Sequence, residues 1–187
     1  MTLAGILERI SGLLERAGIA YMITGSIASS FHGAPRATRD LDIIIDPAAD
    51  ALEWLVGALQ GAGLYVDADA ARSALAGRGQ FNAIESTSGW KIDFVIRKDR
   101  PFSKAEFGRR LPTDLLGAHT WVATLEDMVL AKLEWAADTD SERQLRDVVA
   151  MVDAAEGSID LAYLEKWLVE LGLLDDWSRA LDLRDRA

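Results

Sequence analysis

Residues 39–47 read Arg-Asp-Leu-Asp-Ile-Ile-Ile-Asp-Pro. Its run of β-branched residues predicts a strand over residues 41–45. Successive side chains of a strand point to opposite faces, so Asp40 and Asp42 share one face while Leu41 and Ile43 point to the other. Two neighbouring carboxylates repel each other, and a hard divalent cation offsets that repulsion. We therefore expect a site for Mg²⁺ or Mn²⁺ on this strand.

A second strand with a lone acid is predicted over residues 90–96, Trp-Lys-Ile-Asp-Phe-Val-Ile. Alternation places Lys91, Asp93 and Val95 on one face. If this strand pairs beside the first, Asp93 joins Asp40 and Asp42. Three converging carboxylates suit a phosphoryl-type transfer, in which divalent ions clamp the attacking and leaving oxygens. Asp93 is then either a third metal ligand or the base for the acceptor hydroxyl.

A glycine-serine pair, Gly25-Ser26, lies between a short predicted strand and a predicted helix over residues 27–31. Glycine lets the backbone approach a phosphate closely, a helix start presents N–H groups, and Ser26 adds a hydroxyl donor. Such a pair alone is usually a turn. Followed 14 residues later by Asp-x-Asp, it indicates nucleotide binding.

The remaining periodicity predicts an α+β fold. The first part combines helices over residues 3–17 and about 47–59, strands over 21–23, 64–67 and 79–85, and two extended segments within 109–122. From Thr124 the apolar spacing becomes helical. We therefore expect a small mixed β-sheet flanked by helices over residues 1–122, followed by a helical bundle over residues 123–187 packed on it.

The helical part carries two capping patterns and two further helices. Thr124 with Asp127, and Ser141 with Gln144, have the spacing in which a hydroxyl caps a helix start. A third helix is expected over residues 160–171, and a short fourth helix after it.

Composition and charge narrow the function. The chain has no cysteine, which excludes disulfides and cysteine nucleophiles, and no apolar run near the ~20 residues of a membrane helix. We expect a cytoplasmic protein without a membrane partner. Residues 1–110 hold 13 basic and 13 acidic side chains, whereas residues 111–187 hold 7 basic and 17 acidic, which gives the net charge of −10. An acidic C-terminal part argues against wrapping a long nucleic acid there.

Two groups of basic residues each have two interpretations. Arg36 and Arg39 precede the acidic strand, where they either pair with Asp40 or Asp46 or reach phosphates; we take Arg39 as a nucleotide-binding candidate. The second group is either a solvated loop and helix face or a patch for phosphate or an RNA acceptor. Its members are Arg97, Lys98, Arg100, Lys104, Arg109 and Arg110.

These motifs carry a family resemblance over about residues 20–150. Gly25-Ser26, Asp40-Leu41-Asp42 and the later Asp93 resemble the signature of the nucleotidyltransferase superfamily, the polymerase-beta-like fold. The sequence over residues 32–42, His-Gly-Ala-Pro-Arg-Ala-Thr-Arg-Asp-Leu-Asp, is similar to the corresponding motif of AbiEii/AbiGii-type nucleotidyltransferases. Many of these proteins are toxins of toxin–antitoxin systems. The resemblance implies a nucleoside triphosphate such as ATP as substrate and an antitoxin as a partner.

The resemblance also promotes two residues of the helical part. It implies that Lys132 contacts the triphosphate; by periodicity Lys132 lies on the apolar stripe of its helix, where it either snorkels or finds an anion. Asp147 lies off the stripe of its own helix, so periodicity alone makes it a solvated acid. Only the family's Lys-then-Asp pattern makes Asp147 a nucleotide-binding candidate.

The leading interpretation is an enzyme that moves a nucleotide to an acceptor, which could be transfer RNA, a protein hydroxyl or a small molecule such as an antibiotic. An alternative is a catalytically inactive binding or regulatory module on the same fold. A third is a helical interaction protein whose acids are surface charges, and the apolar residues alternating with the acids argue against it. A metal titration in which the melting temperature is measured at each metal concentration distinguishes the enzyme from the non-catalytic alternatives.

Overall fold

The order of strands and helices follows the sequence pattern closely. The structure is a computed structural model that describes residues 2–185. Its elements are α1 (Leu3–Arg16), β1 (Ala20–Ile23), α2 (Gly25–Phe31), β2 (Asp40–Asp46), α3 (Ala49–Gly61), β3 (Leu64–Val66), α4 (Ala68–Gly77), β4 (Gln80–Glu85), β5 (Trp90–Ile96), α5 (Pro101–Arg109), β6 (Leu111–Leu115), β7 (Ala118–Val122), α6 (Leu125–Thr139), α7 (Glu142–Ala154), α8 (Leu161–Leu171) and α9 (Leu174–Arg184).

The chain divides into two compact units. One, called here the sheet unit, comprises Met1–Ser26 and Ala37–Ala123; the other, called here the helical unit, comprises Ile27–Arg36 and Thr124–Ala187. Helix α2 begins in the sheet unit and continues into the helical unit. The segment from Ile27 to Arg36 thus groups with the C-terminal helices, although it lies between two strands in the sequence.

The sheet unit contains one mixed sheet of seven strands in the order β3-β4-β5-β2-β1-β7-β6. Strands β2 and β5 are parallel, as are β1 and β7, and the other neighbours are antiparallel. The two strands that carry the predicted acids are therefore direct neighbours. The α+β class predicted from the sequence is confirmed.

Alternation along β2 and β5 builds the core of the sheet unit. Leu41, Ile43 and Ile45 of β2 are fully buried, and the intervening side chains are more exposed. The same alternation holds in β5, where Trp90, Ile92, Phe94 and Ile96 are buried and the side chains between them are partly exposed. Burying a side chain of this size contributes about 1.5–3 kcal/mol. This burial holds the strands in register, and the register fixes which polar residues meet on the opposite face.

The helical unit buries polar side chains as well as apolar ones. Thr124 caps α6 by accepting from the Asp127 N–H at 3.2 Å, as its spacing predicts. Asp127 is 1% exposed and accepts from the hydroxyls of Thr124 and Tyr163, both at 2.6 Å. The nearby Glu126 accepts from the Asp160 N–H at 3.0 Å. These two acids stabilise the helix arrangement within the unit.

Several details differ from the sequence-based expectations, including helix α5, which was not among the predicted elements. Helix α4 was not predicted, because its buried face consists only of Ala71 and Ala74, which give little apolar contrast. Helix α3 begins at Ala49 rather than at Pro47. Ser141 is the N-cap residue of α7, but its side chain makes no capping hydrogen bond, so the predicted capping box is absent there.

Candidate functional site

The candidate site is a cluster of charged side chains on one face of β2 and β5. Asp42 pairs directly with Asp93, and Asp40 pairs with Lys91. Paired residues of neighbouring strands point to the same face, about 4.8 Å apart. Asp40 is exposed, and Asp42 and Asp93 are intermediate in exposure. We call these three carboxylates the acidic face.

The acidic face extends toward the end of β1, where Gly25 touches Asp42. The Thr24 N–H donates to the Asp42 carbonyl oxygen at 3.0 Å, which continues the β1–β2 pairing. Gly25 then adopts φ +64°, and a Cβ atom added to it would lie 1.9 Å from Oδ2 of Asp42. Glycine is thus required twice, for the left-handed backbone and for the space that the Asp42 carboxylate occupies. Ser26, the next residue of α2, is buried.

A lysine lies among the carboxylates. The ammonium of Lys91 donates to Oδ2 of Asp93 at 2.7 Å. The hydrogen bond to Asp93 raises the pKa of Lys91 above its usual value, and the charges of Asp93, Asp40 and Asp42 raise it further. The sequence pattern placed Lys91 on the same face as Asp93 but gave no signal that it would pair with that acid.

A second polar neighbour of the acidic face was also missed. Asn82 of β4 pairs with Asp93 across the antiparallel β4–β5 ladder, and it is exposed. The alternation of β4 predicts that Asn82 faces solvent. Only the strand register shows that it completes a row with Asp42 and Asp93.

The donor set of the acidic face suits a hard cation, because carboxylate oxygens are the ligands that Mg²⁺ and Mn²⁺ prefer. Within residues 2–185, no group of three or more His, Cys, Asp or Glu side chains is arranged so that it could hold a metal ion. The strand register brings the three carboxylates to one face, while Asp93 is engaged by Lys91.

The arginine before the acidic strand lies against a turn. The Arg39 carbonyl accepts from the Lys91 N–H at 3.0 Å, which extends the β2–β5 pairing. Its guanidinium approaches the turn between β4 and β5, since a Cβ added at Gly89 would lie 3.7 Å from Nη1 of Arg39. Arg39 therefore lies at the edge of the row that contains Asp40 and Lys91.

The second basic group makes contacts within the protein itself. Arg97 pairs with Asp46 at 2.9 Å, and Lys104 pairs with Asp99 at 2.6 Å. Arg100 donates to the Ser103 hydroxyl at 3.0 Å, and Arg110 stacks over the rings of Phe107 and Trp121 at 4.6 and 5.0 Å. These contacts favour a structural role for these four residues over a dedicated phosphate patch.

The two candidates of the helical unit bind each other. The Lys132 ammonium donates to Oδ2 of Asp147 at 2.7 Å, and these side chains are only 7% and 12% exposed. Arg36 lies 3.6 Å from the same carboxylate oxygen. Burial lowers the pKa of Lys132, and the pairing with Asp147 opposes that effect. The periodicity-based interpretation of Asp147 as a solvated acid is wrong, because a buried cation holds it inside the unit.

The segment that contains Arg36 is fixed at a close backbone approach. Gly33 has φ +101°, and a Cβ there would lie 2.2 Å from the Ala154 side chain of α7. The Ser30 hydroxyl also accepts from the Arg36 N–H at 3.2 Å. Together these contacts hold the short segment against α7, the helix that carries Asp147.

Comparison with known proteins identifies the fold. No protein-family model and no curated protein sequence matches the chain. The solution structure of the antibiotic-resistance factor ANT(2'')-Ia is 13% identical with a TM-score of 0.59, and the alignment covers 98% of this chain and 95% of that one. The crystal structure of ANT(2'')-Ia with adenylyl-2''-tobramycin is 12% identical with a TM-score of 0.58, covering 100% and 99%.

A third structure, an antigenic nucleotidyltransferase-like protein from Paracoccidioides brasiliensis, is 17% identical with a TM-score of 0.60, covering 96% of this chain and 92% of that one. At such identities the likeness concerns the fold. The protein therefore has the nucleotidyltransferase fold, with the acidic face on two of its central strands. The narrower resemblance to AbiEii/AbiGii-type proteins stays a prediction.

No helix within residues 2–185 combines the length and apolar character needed to cross a membrane.

Proposed function

We propose that the protein is a metal-dependent nucleotidyltransferase, which moves a nucleotide from a nucleoside triphosphate to an acceptor hydroxyl. One observation carries this proposal. The register of β2 against β5 sets Asp42 directly beside Asp93, with Asp40 two residues earlier on the same face. The fold, shared with nucleotidyltransferases, supports it.

Asp40, Asp42 and Asp93 would hold Mg²⁺ or Mn²⁺, which supplies positive charge at the phosphates and makes an acceptor hydroxyl more acidic. In the reaction, the acceptor oxygen bonds to the α-phosphorus, the bond from that phosphorus to the β-phosphate oxygen breaks, and pyrophosphate leaves. The hydroxyl proton passes to a base. Asp93 is the candidate base if it does not serve as a ligand, because it is the carboxylate of the acidic face that lies on β5, beside the two carboxylates of β2.

The residues around Asp42 support nucleotide binding. Gly25 leaves no side chain between the backbone and the Asp42 carboxylate. Ser26 and Arg39 are proposed to contact phosphate oxygens, since Ser26 follows Gly25, whose backbone lies against Asp42, and Arg39 directly precedes Asp40. The contribution of Lys132 and Asp147 to nucleotide binding rests on the family resemblance, and their mutual ion pair supports a structural role at least as strongly.

The acceptor proposed on charge is a cationic or neutral hydroxylated small molecule rather than a long nucleic acid. Residues 111–187, which account for the whole net charge of −10, would repel a phosphate backbone and attract cations. The neighbour solved with adenylyl-2''-tobramycin is consistent with this choice. A role as a toxin with an antitoxin partner is supported by the sequence resemblance only.

The pair between Lys91 and Asp93 favours a second candidate function. It neutralises the third carboxylate in the absence of metal. A protein that bound nucleotide without transferring it would have no use for a third unpaired acid. The second candidate is therefore an inactive binding module of the same fold.

The test is incubation with each α-³²P-labelled nucleoside triphosphate, Mg²⁺ or Mn²⁺, and a panel of aminoglycosides, RNA and cell lysate. We expect one class of labelled product, and we expect Asp42→Asn to reduce labelling by more than about a hundredfold. Mutating a residue that only hydrogen-bonds to a metal ligand already lowers metal affinity or activity by about 10–100-fold. Asp46→Asn is the matched control on the same strand, and it should retain activity. Triphosphate binding without labelling under every condition would establish the inactive module instead.

A further inference from the structure

The strand register places a positive charge inside the acidic face. Lys91 pairs laterally with Asp40 and lies two residues before Asp93 on the same strand, so its side chain shares their face. Its ammonium binds Oδ2 of Asp93 at 2.7 Å. With Lys91 included, the face carries two net negative charges rather than three.

The Lys91–Asp93 pair is accessible rather than sealed in the core. The Lys91 side chain is 42% exposed and the Asp93 side chain 16% exposed. A partly hydrated ammonium exchanges partners at little cost, because an exposed ion pair is stabilised only weakly. The lysine can thus leave Asp93 when a competing cation arrives.

We propose that Lys91 is a resident counterion, which competes with the metal ion for Asp93 and so weakens metal binding by the free protein. The inference rests on the proposed function for its metal site. Lys91 acts through Asp93 and is a positioning residue. A divalent ion shared by the three carboxylates must displace the ammonium and then remain near a like charge.

The experiment compares Lys91→Met with Lys91→Arg and with the control Lys98→Met, in which an exposed lysine just after β5 loses the same charge. Mn²⁺ affinity is measured by calorimetry on each full-length protein. We expect Lys91→Met to bind Mn²⁺ about tenfold more tightly than wild type, the scale of removing one charge about 5 Å from a divalent ion in a hydrated site. Lys91→Arg and Lys98→Met should stay near the wild-type affinity.

A metal-free measurement separates this inference from the proposed function. In excess EDTA, Lys91→Met should melt about 2 °C below wild type because the carboxylates lose their counterion, and Lys98→Met should not. Unchanged melting and unchanged Mn²⁺ affinity in Lys91→Met would overturn the counterion role. If neither the wild type nor any variant binds Mn²⁺, the proposed metal site is wrong, and so is the competition between Lys91 and the metal ion. The difference in melting temperature in EDTA still shows whether Lys91 neutralises the acidic face.

Discussion

Two lysine–aspartate pairs of equal length, one in each unit, behave in opposite ways. Lys91 and Asp93 lie 2.7 Å apart on the open side of the sheet, and Lys132 and Asp147 lie 2.7 Å apart inside the helical unit. Pairing raises the pKa of Lys91, whereas burial lowers the pKa of Lys132. The difference is solvation, because water stabilises the first ammonium and is withheld from the second.

The comparison suggests different uses of the same chemistry. An exposed pair contributes little to stability and exchanges partners readily, which suits a site that must admit a cation. A buried pair is weak as a net stabiliser but costly to break, because each partner depends on the other for neutralisation. The exposed Lys91–Asp93 pair can thus exchange partners at a site, and the buried Lys132–Asp147 pair serves the fold of the helical unit. We call them the open pair and the committed pair.

Lys132→Met is expected to give the largest loss of stability. The substitution keeps the length and apolar stem of the side chain but leaves Asp147 buried without the lysine ammonium, with Arg36 3.6 Å away. Removing one partner of a buried pair costs about 3–5 kcal/mol, and Arg36 places the expectation at the lower end, near 3 kcal/mol. Urea unfolding at pH 7 measures it.

The matched variant is Lys91→Met, which should lose less than about 1 kcal/mol because its pair is exposed. The double variant Lys132→Met/Asp147→Leu should recover most of the stability lost in the single variant, since it removes both charges. Equal losses in the two single variants would contradict the division between an open and a committed pair.

The structure changes one expectation that the sequence supports. The apolar stripe of α6 predicts that Lys132 either snorkels or meets an anion. The anion is Asp147 of α7, fifteen residues later, and the stripe of α7 did not include it. Periodicity describes each helix alone, whereas the partner of a buried charge depends on how two helices pack.

The acidic face also shows which contacts periodicity within one element predicts and which it does not. Alternation in β2 and β5 correctly separates the core side chains from Asp40, Asp42 and Asp93, because each strand has one buried face. The lateral partners Lys91 and Asn82 were not assigned, since they depend on register and strand order. A one-residue shift of either strand would have exchanged the faces.

Gly25→Ala is expected to have an intermediate effect on stability and a large one on the site. A Cβ at this position meets Oδ2 of Asp42 at 1.9 Å, so the carboxylate must move, and the left-handed backbone at φ +64° costs a further 1–2 kcal/mol or so. We expect a loss of about 2 kcal/mol in urea unfolding and a much weaker response to Mn²⁺.

Gly57→Ala is the control, because a Cβ at Gly57 in α3 meets nothing within 4 Å. Alanine in a helix interior should stabilise that variant by about 0.5–1 kcal/mol. If Gly25→Ala kept wild-type stability and wild-type Mn²⁺ affinity, the close approach of the Gly25 backbone to Asp42 would not matter for the acidic face.

The smallest expected effect is a difference in alkaline stability between the two lysines, and it has opposite signs. The folded pKa of Lys91 is raised, so its contribution is present below the unfolded pKa of 10.5 and is lost as pH rises through the folded pKa. The folded pKa of Lys132 is lowered, so between that pKa and 10.5 the unfolded chain binds more protons. Stability attributable to Lys132 therefore rises with pH in that window.

Urea unfolding in EDTA from pH 8 to 11.5 measures both slopes as differences between wild type and each Met variant. Tyr21 also titrates in alkaline solution, and burial raises its pKa. Its contribution is the same in wild type and in both Met variants, so it cancels in the differences. Relative to wild type, Lys91→Met should lose its disadvantage as pH rises, and Lys132→Met should fall further behind. Slopes of the same sign would mean that burial does not lower the pKa of Lys132 in the folded protein, which would remove the physical basis for separating the two pairs.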